Sequence, residues 1–208
     1  MNYVEEIVKS GYTPEKLGDF HRFCLAYLGK CYFPEKNAPV LDLGIGVGHC
    51  AVSLLEAGWS DLYGFDRDLF FKNYLEEKGI KLESGDLEKD RLPFSNNFFS
   101  GIVSFHVVEH LFMGNNYIRE IKRVLRPGGV AIIVTPDWRK QFKTFYRDQT
   151  HLHPYDKESI ARLARSVGFD PEIKSFGVMR GFGRTRVWKK IPRLMFTGMD
   201  MICIVRKS

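Results

Sequence analysis

The chain has 208 residues, a net charge of +6 and a hydrophobic fraction of 44%, which together exclude a disordered protein. This length holds one α/β domain with modest additions, because two full domains would be crowded. The apolar runs are far shorter than the roughly 20 residues that cross a bilayer, so no transmembrane segment is predicted. The first residues lack the pattern of a signal peptide, and four scattered cysteines favour reduced thiols, so we expect a cytoplasmic protein.

Charge is distributed unevenly along the chain. Residues 1–137 carry a net charge of −4, whereas residues 138–208 carry +10. A basic C-terminal third suggests an anionic partner, which could be nucleic acid, a membrane surface or a phosphorylated substrate. A basic face that is merely solvated explains the same asymmetry, so charge alone does not choose among these alternatives.

The N-terminal segment, residues 1–36, lacks strand alternation and predicts one or two helices. Thr13 and Pro14 resemble a helix N-cap followed by proline at the first helical position. Apolar residues then recur at helical spacing, as at Leu17, Phe20 and Tyr27. We expect this segment to form a helical cap before the sheet.

From residue 39 onward, strands alternate with helices. Strands are predicted at about 39–43, 62–65, 80–83, 100–105 and 130–134, with helices at about 48–57, 68–78 and up to Arg126-Pro127-Gly128-Gly129. Another helix begins near Asp156, and two more extended segments lie at about 171–178 and 200–206. The pattern predicts an α/β fold with right-handed crossovers and a ligand at the carboxyl ends of the strands. We expect a doubly wound, Rossmann-like, mostly parallel seven-stranded sheet with helices on both faces.

The chain is organised around a glycine-rich turn after the first strand. Glycine occupies every second position at Gly44, Gly46 and Gly48, where a Cβ would block both a positive φ and the approach of a ligand. Asp66 ends the second strand 22 residues after Gly44, where a carboxylate would accept the hydroxyl protons of a ribose. Asp68 is the alternative ribose ligand, although we expect it to be the N-cap of the next helix.

The glycine spacing separates two classes of nucleoside cofactor. Dinucleotide sites need the third glycine three positions after the second, whereas here it comes two positions after it. Asp42, just before the turn, would repel a pyrophosphate but suits a cationic amino group. This stretch resembles the first motif of the class I S-adenosylmethionine-dependent methyltransferases, whose cofactor carries an ammonium and a sulfonium but no phosphate.

The resemblance extends along about residues 40–135 and, more loosely, to the end of the chain. It rests on motifs in the expected order: Gly64-Phe65-Asp66, Ser84-Gly85-Asp86-Leu87, Leu92-Pro93-Phe94, Ser104-Phe105-His106-Val107-Val108-Glu109-His110-Leu111 and Glu120-Ile121-Lys122-Arg123-Val124-Leu125-Arg126-Pro127-Gly128-Gly129. The last two are similar to the small-molecule branch of the family. Ser100 departs from the pattern, since this family usually has an aspartate there.

The resemblance implies S-adenosylmethionine as the cofactor and assigns residues to its binding. The cofactor-binding residues implied are Asp42, Gly44, Gly46, Asp66, Asp86, Leu87 and Ser104. Asp42 would act indirectly by holding the amides of the turn. Asp86 and the following amide would hold the adenine.

Histidines are the candidates for a catalytic or substrate-orienting residue. His106 follows the fourth strand at the expected mouth of the site, and His151 lies in a segment similar to the acceptor-side loop of related enzymes. Asp148, His151 and His153 have metal-ligating side chains, but a loop held by histidine hydrogen bonds is the simpler interpretation, so no metal is predicted. Glu109 and its neighbour His110 are expected to cap and pack the next helix.

The resemblance predicts a single methyltransferase domain over residues 1–208. Its parts are an N-terminal helical cap (1–36), a cofactor-binding half (37–136) and an acceptor-side half with a basic aromatic insert (137–208). We expect methyl transfer to oxygen or nitrogen of a small acceptor that is anionic, amphiphilic or lipid-like. RNA methylation is the second hypothesis, and a non-catalytic cofactor-binding module is the third. No oligomeric state is predicted, because no apolar stripe is surplus to the core.

Overall fold

The computed structural model describes Thr13, residues 19–177 and residues 198–208. Its strands are β1 (Val40–Leu43), β2 (Leu62–Asp66), β3 (Lys81–Ser84), β4 (Phe99–Phe105), β5 (Leu125–Pro136), β6 (Glu172–Phe176) and β7 (Asp200–Arg206). Its α-helices are α1 (Asp19–Tyr32), α2 (His49–Glu56), α3 (Lys72–Glu77), α4 (Asn115–Val124), α5 (Trp138–Gln141) and α6 (Lys157–Arg165). Short 3₁₀ turns lie at Val108–His110 and Phe145–Arg147.

The seven strands form one sheet in the order β3-β2-β1-β4-β5-β7-β6. Every pair from β3 to β5 is parallel, whereas β7 runs antiparallel to both β5 and β6. The strand order reverses between β1 and β4, so the loops after these strands diverge and leave a crevice at their carboxyl ends. The predicted doubly wound, mostly parallel, seven-stranded sheet is confirmed.

Strand alternation builds a core on each face of the sheet. In β5, Val130, Ile132 and Val134 face the core that α1, α2 and α3 cover. The intervening Ala131 and Ile133 face the second core, under α4 and α6. Because both faces are covered, β5 needs the continuous apolar sequence by which it was predicted. The helices therefore lie on both faces, as expected.

Two local features differ from the sequence-based expectation. Helix α3 begins at Lys72 with Phe71 at its N-cap, so the prediction that Asp68 is the N-cap is wrong. The Asp68 amide instead donates to Asp66 Oδ1 at 3.2 Å, and this turn keeps the segment before α3 out of the helix. After α4, strand pairing jumps from Phe99–Leu125 to Gly101–Val130, so the Arg126–Gly129 segment forms an irregularity within β5 instead of a helix end.

The basic aromatic run at 180–193 lies entirely outside the described residues. Of the predicted N-cap at Thr13 and Pro14, only Thr13 is described. Helix α1 confirms a helix before the sheet. Its residues Cys24 and Leu28 pack in the same core as Val40 of β1. Among the described residues, none of the helices is both long and apolar enough to span a bilayer.

Candidate active site

A cavity of about 430 Å³ lies at the carboxyl ends of the parallel strands. One wall carries residues of the glycine turn, Asp66, Asp86 and Leu87. The opposite wall carries Phe105, His106, His110, Leu111 and Asp200. Residues predicted to bind the cofactor and one of the predicted catalytic histidines therefore face the same space.

The glycine turn is shaped by backbone geometry that other residues resist. Gly44 has φ +83° and lies so close to the neighbouring loop that an added Cβ would be 2.2 Å from Val107 Cγ2. Gly46 has φ +50°, but an added Cβ there would meet nothing within 4 Å. The first glycine is thus required for packing, whereas the second leaves open space beside the cavity.

Two aspartates hold the turn from either end. Asp42, only 3% exposed, accepts a hydrogen bond of 2.9 Å from the Ala51 amide in the first turn of α2. Asp66 accepts from the Gly46 amide at 2.8 Å. Both oxygens of Asp66 accept backbone N–H groups, and because a carboxylate has about four lone-pair sites, room remains for a ligand. Asp42 thus contacts the helix that follows the turn, and its indirect role in cofactor binding stays a prediction.

Burial sets the electrostatics of this wall. It raises the pKa of Asp42 well above its ordinary range, against the effect of the Ala51 amide. Burial also raises the pKa of Asp66, whereas hydrogen bonds from the Gly46 and Asp68 amides lower it. A cationic or hydroxyl-bearing ligand would satisfy both carboxyl groups, whereas a phosphate would add like charge beside them.

The loop after β3 places Asp86 and Leu87 in the cavity wall. The Asp86 amide donates to Asp90 Oδ2 at 2.8 Å, and its carboxylate accepts from the Glu88 amide at 2.9 Å. These local bonds fix the turn that carries Leu87 toward the cavity. Ser104 lies elsewhere, because its side chain is 1% exposed and donates to the Leu43 carbonyl at 2.8 Å. It is not among the residues that line the cavity.

His106 lies at the end of β4, with φ +53° and its amide hydrogen-bonded to the Val134 carbonyl at 2.8 Å. Its side chain is 46% exposed and faces the cavity. Nδ1 lies 3.1 Å from Glu109 Oε1, and Nε2 lies 3.7 Å from Asp200 Oδ2. Burial opposes the charged form, but Glu109 and Asp200 outweigh it and raise the pKa of His106 to about 9. A pKa of about 9 favours the imidazolium at neutral pH, and in that form both ring nitrogens donate hydrogen bonds.

Glu109 is a residue of the candidate site whose contacts sequence reasoning missed. It is fully buried and does not cap the next helix, because its Oε2 accepts from Thr135 Oγ1 at 2.9 Å while Oε1 faces His106. Burial opposes its ionisation, but His106 holds the pKa of Glu109 below its ordinary value. A charged residue between Val108 and Leu111 was the available signal, since buried charges require partners. Asp200 comes from the remote β7 and carries no comparable signal.

His151 lies behind the cavity wall. Its Nδ1 donates to the Phe145 carbonyl at 2.8 Å, and its ring centroid is 4.8 Å from that of His110, which lines the cavity. His110 Nδ1 in turn bonds to the Thr150 carbonyl at 3.1 Å. The Glu109 carbonyl accepts from the Leu152 and His153 amides. The loop is therefore held by histidine and backbone hydrogen bonds, as expected, and His151 reaches the cavity only through His110.

Comparison with known proteins identifies the family. Residues 11–172 match the family described as Methyltransferase domain. The chain belongs to this family. A Mycolicibacterium smegmatis protein named "Probable S-adenosylmethionine-dependent methyltransferase" is 30% identical over 151 residues, which are 69% of this chain and 56% of that protein. The predicted membership in the S-adenosylmethionine-dependent methyltransferases is confirmed, and with it the cofactor.

Other relatives bear on the acceptor and on the fold. The demethylmenaquinone methyltransferase of Chlorobaculum parvum is 28% identical over 166 residues, which are 69% of this chain and 66% of that protein. The chain thus spans little more than half the length of the first curated relative and about two thirds of this one. A methyltransferase structure from Archaeoglobus fulgidus superposes with a TM-score of 0.67 at 21% identity, over 89% of this chain and 94% of that one. This likeness shows the shared fold.

The residues present suit this cofactor. The open space at Gly46, the two aspartates and the Asp86–Leu87 turn border one cavity. Among the described residues that line it, Arg67 is the only lysine or arginine that could face a pyrophosphate. A nucleoside with a cationic side arm matches this donor set better than a dinucleotide.

Proposed function

We propose that this chain transfers a methyl group from S-adenosylmethionine to a small amphiphilic acceptor that carries an anionic oxygen. The observation that carries the proposal is that one cavity is lined both by the glycine turn with Asp66 and by His106. A cofactor held at the first wall and an acceptor at the second would meet within it. Binding two reactants in one enclosed space supplies the proximity on which a transfer reaction depends.

The bound cofactor supplies an electrophilic methyl group on a positively charged sulfur. The chain supplies position and charge. Asp66 would hold the ribose hydroxyls, the Asp86–Leu87 turn would hold the adenine, and Asp42 would keep the glycine turn in place through Ala51. These residues bind and orient, and none of them needs to exchange a proton with the acceptor.

His106 is the residue that we assign to the acceptor. Its imidazolium faces the cavity and would donate a hydrogen bond to an acceptor oxygen. Such a cation favours the ionised form of a hydroxyl, so the acceptor would react as an anion without a histidine base. This role differs from the general base that the sequence suggested as one option for His106, and it agrees with the other option, substrate orientation.

The shape of the acceptor follows from the rest of the wall. Phe105, Leu111 and Phe176 offer apolar surface beside the charged ring. Among the relatives, one is named demethylmenaquinone methyltransferase and another, 23% identical, ubiquinone/menaquinone biosynthesis C-methyltransferase. A phenol or hydroquinone with an apolar substituent suits such a wall. We therefore add ring carbon, next to an ionised hydroxyl, to the oxygen and nitrogen atoms first expected to accept the methyl group. A methylated ring carbon would then release its proton to water as the ring regains aromaticity.

RNA is the weaker candidate because two basic residues of the acceptor-side half, Arg139 and Lys140, already have partners within the fold. Arg139 forms an ion pair of 2.7 Å with Asp156, and Lys140 donates to Ser175 Oγ and the Gly198 carbonyl at 2.8 and 2.9 Å. These side chains would have to leave their partners to contact a phosphate backbone.

The test supplies labelled S-adenosylmethionine with a short-tailed hydroquinone kept reduced, the same compound with both hydroxyls alkylated, and mixed RNA. We expect label only in the free hydroquinone, and mass spectrometry of the product identifies the methylated atom. His106→Gln should lower kcat/KM by about 100-fold, the effect of removing one preorganised donor. Label in RNA would replace this proposal with the second hypothesis, and binding without transfer to any fraction would favour a non-catalytic module.

A further inference from the structure

Glu109, His110 and His151 form a cluster behind the His106 wall. One potential ligand atom from each of the three side chains lies within 4.8 Å of the others. Glu109 is buried and both histidines are partly buried. Two imidazoles and one carboxylate are the donor set of several catalytic zinc and iron sites, and three protein ligands leave at least one coordination position open.

Both rings have the tautomer that metal ligation requires. His151 Nδ1 faces the Phe145 carbonyl, which can only accept, so Nδ1 carries the proton and the lone pair lies on Nε2. His110 Nδ1 likewise faces the Thr150 carbonyl. The Thr150 hydroxyl donates to Asp148 Oδ1 at 2.5 Å and therefore accepts from His110 as well. In their neutral forms both histidines thus present Nε2 as the electron donor.

Each potential ligand also has a fixed outer partner. The carbonyls of Phe145 and Thr150 orient the two rings, and Thr135 Oγ1 donates to Glu109 Oε2 at 2.9 Å. Such outer contacts, which set the tautomer and direction of a ligand, accompany most metal-bound histidines and carboxylates.

We propose that Glu109, His110 and His151 bind a divalent transition-metal ion such as Zn²⁺. Zinc–nitrogen bonds of about 2.0–2.1 Å place tetrahedral ligand atoms about 3.4 Å apart, so the widest spacing in the present cluster has to contract by up to about 1.4 Å. Glu109 has lone pairs to bind the ion while it keeps Thr135. Because His110 is the member that lines the cavity, an open coordination position would face the acceptor side. The ion would then add its positive charge to that of the His106 ring on the same wall of the cavity.

The test uses the full chain stripped with EDTA, titrated with Zn²⁺ by calorimetry and with Co²⁺ by visible absorption. We expect one ion per chain and cobalt bands typical of nitrogen ligation. His110→Gln and His151→Gln should each weaken Zn²⁺ binding at least tenfold, and Thr150→Val, which retains all three ligands, should weaken it about tenfold. His153→Gln is the matched control: His153 lies in the same loop, stacks on Tyr155 and is outside the cluster.

Folding is checked by the melting temperature, which S-adenosylmethionine should raise in every variant. Zn²⁺ should raise it most in the wild type and His153→Gln, less in Thr150→Val, and least in His110→Gln and His151→Gln. No stoichiometric binding by the wild type would overturn the proposal. So would binding that is unchanged in both histidine variants or is lost equally in His153→Gln. Neither readout needs an acceptor or turnover, so the result is independent of the proposed methyl transfer.

Discussion

The two walls of the cavity are built by different means. The wall that we propose binds the cofactor, called the cofactor wall, consists of the glycine turn, Asp66, Asp86 and Leu87. It depends on main-chain geometry: Gly44 and Gly46 adopt positive φ, and Asp42 and Asp66 accept hydrogen bonds from backbone amides. The wall that we propose binds the acceptor, called the acceptor wall, includes Phe105, His106, His110, Leu111 and Asp200. It depends on side chains that come from distant parts of the chain: His106, after β4, contacts Glu109 and Asp200. A main-chain cradle fits one ligand closely. A wall of side chains can change its chemistry by substitution, which suits a family with one cofactor and many acceptors.

The largest expected effect is on the cofactor wall, where Gly44→Ala should lower the free energy of unfolding by at least about 2 kcal/mol and prevent cofactor binding. The alanine combines the strain of positive φ with the contact to Val107. Urea denaturation and calorimetry would measure the two effects. Gly79→Ala is the control, because Gly79 has φ +81° but an added Cβ meets nothing within 4 Å. If the two variants lose equal stability, the close packing of the turn is not important.

Asp66→Asn should come next, with a 10- to 100-fold loss of affinity for S-adenosylmethionine. The amide keeps the size of the side chain but removes the charge that accepts hydroxyl protons, and hydrogen bonds to charged groups contribute about 1.5–3 kcal/mol. Calorimetry gives the affinity, with Asp68→Asn as the control for a neighbouring carboxylate. Equal losses in both variants would return Asp68 to the ribose site.

The acceptor wall should respond to pH through His106. Its pKa rises from 6.5 to about 9 on folding, so its contribution to stability is present in full below about pH 6.5 and is lost as the pH rises through about 9. The difference in unfolding free energy between wild type and His106→Gln, measured in EDTA, should therefore shrink between pH 6 and 10. In a Glu109→Gln background the same difference should depend much less on pH. A flat profile in the wild-type background would contradict the ion pair.

The smallest effect is expected at Ser104, which lies in β4 and does not line the cavity. Ser104→Ala removes the hydrogen bond to Leu43 and should cost about 1 kcal/mol of stability without changing cofactor affinity. Ser100→Ala, which loses a 2.9 Å bond from Oγ to the Pro39 carbonyl in the same strand, is the matched control. A specific loss of affinity in Ser104→Ala would instead support the cofactor role that the sequence implied for this residue.

The same contrast explains how much the sequence could predict. The strand order and the glycine turn follow from local patterns, since alternation, positive-φ glycines and an acidic strand end are written in consecutive residues. Glu109 was expected to cap a helix because its partners, His106 and Thr135, meet it only after β4 and β5 pair. Asp200 reaches the site through the antiparallel β7, about 94 residues after His106, which no local pattern encodes.

Two further residues, His151 and Asp68, lie in surroundings that differ from those predicted for them. His151 was predicted from its type and position in the loop, but side-chain directions placed it behind His110 instead of in the cavity. Asp68 was predicted as an N-cap from its residue type alone, whereas in the structure its amide donates a hydrogen bond to the Asp66 side chain and α3 begins only at Lys72. In both cases competition between nearby hydrogen-bond partners decided the outcome, and sequence spacing does not rank such partners.

The Glu109 carbonyl, which receives the amides of Leu152 and His153, has a practical consequence for redesign. The path of this loop is secured by its main chain, so the exposed Leu152 can be exchanged in a randomised library without displacing its neighbours. Leu152 is not among the residues that line the cavity at the carboxyl ends of the strands, so such exchanges should leave that cavity unchanged.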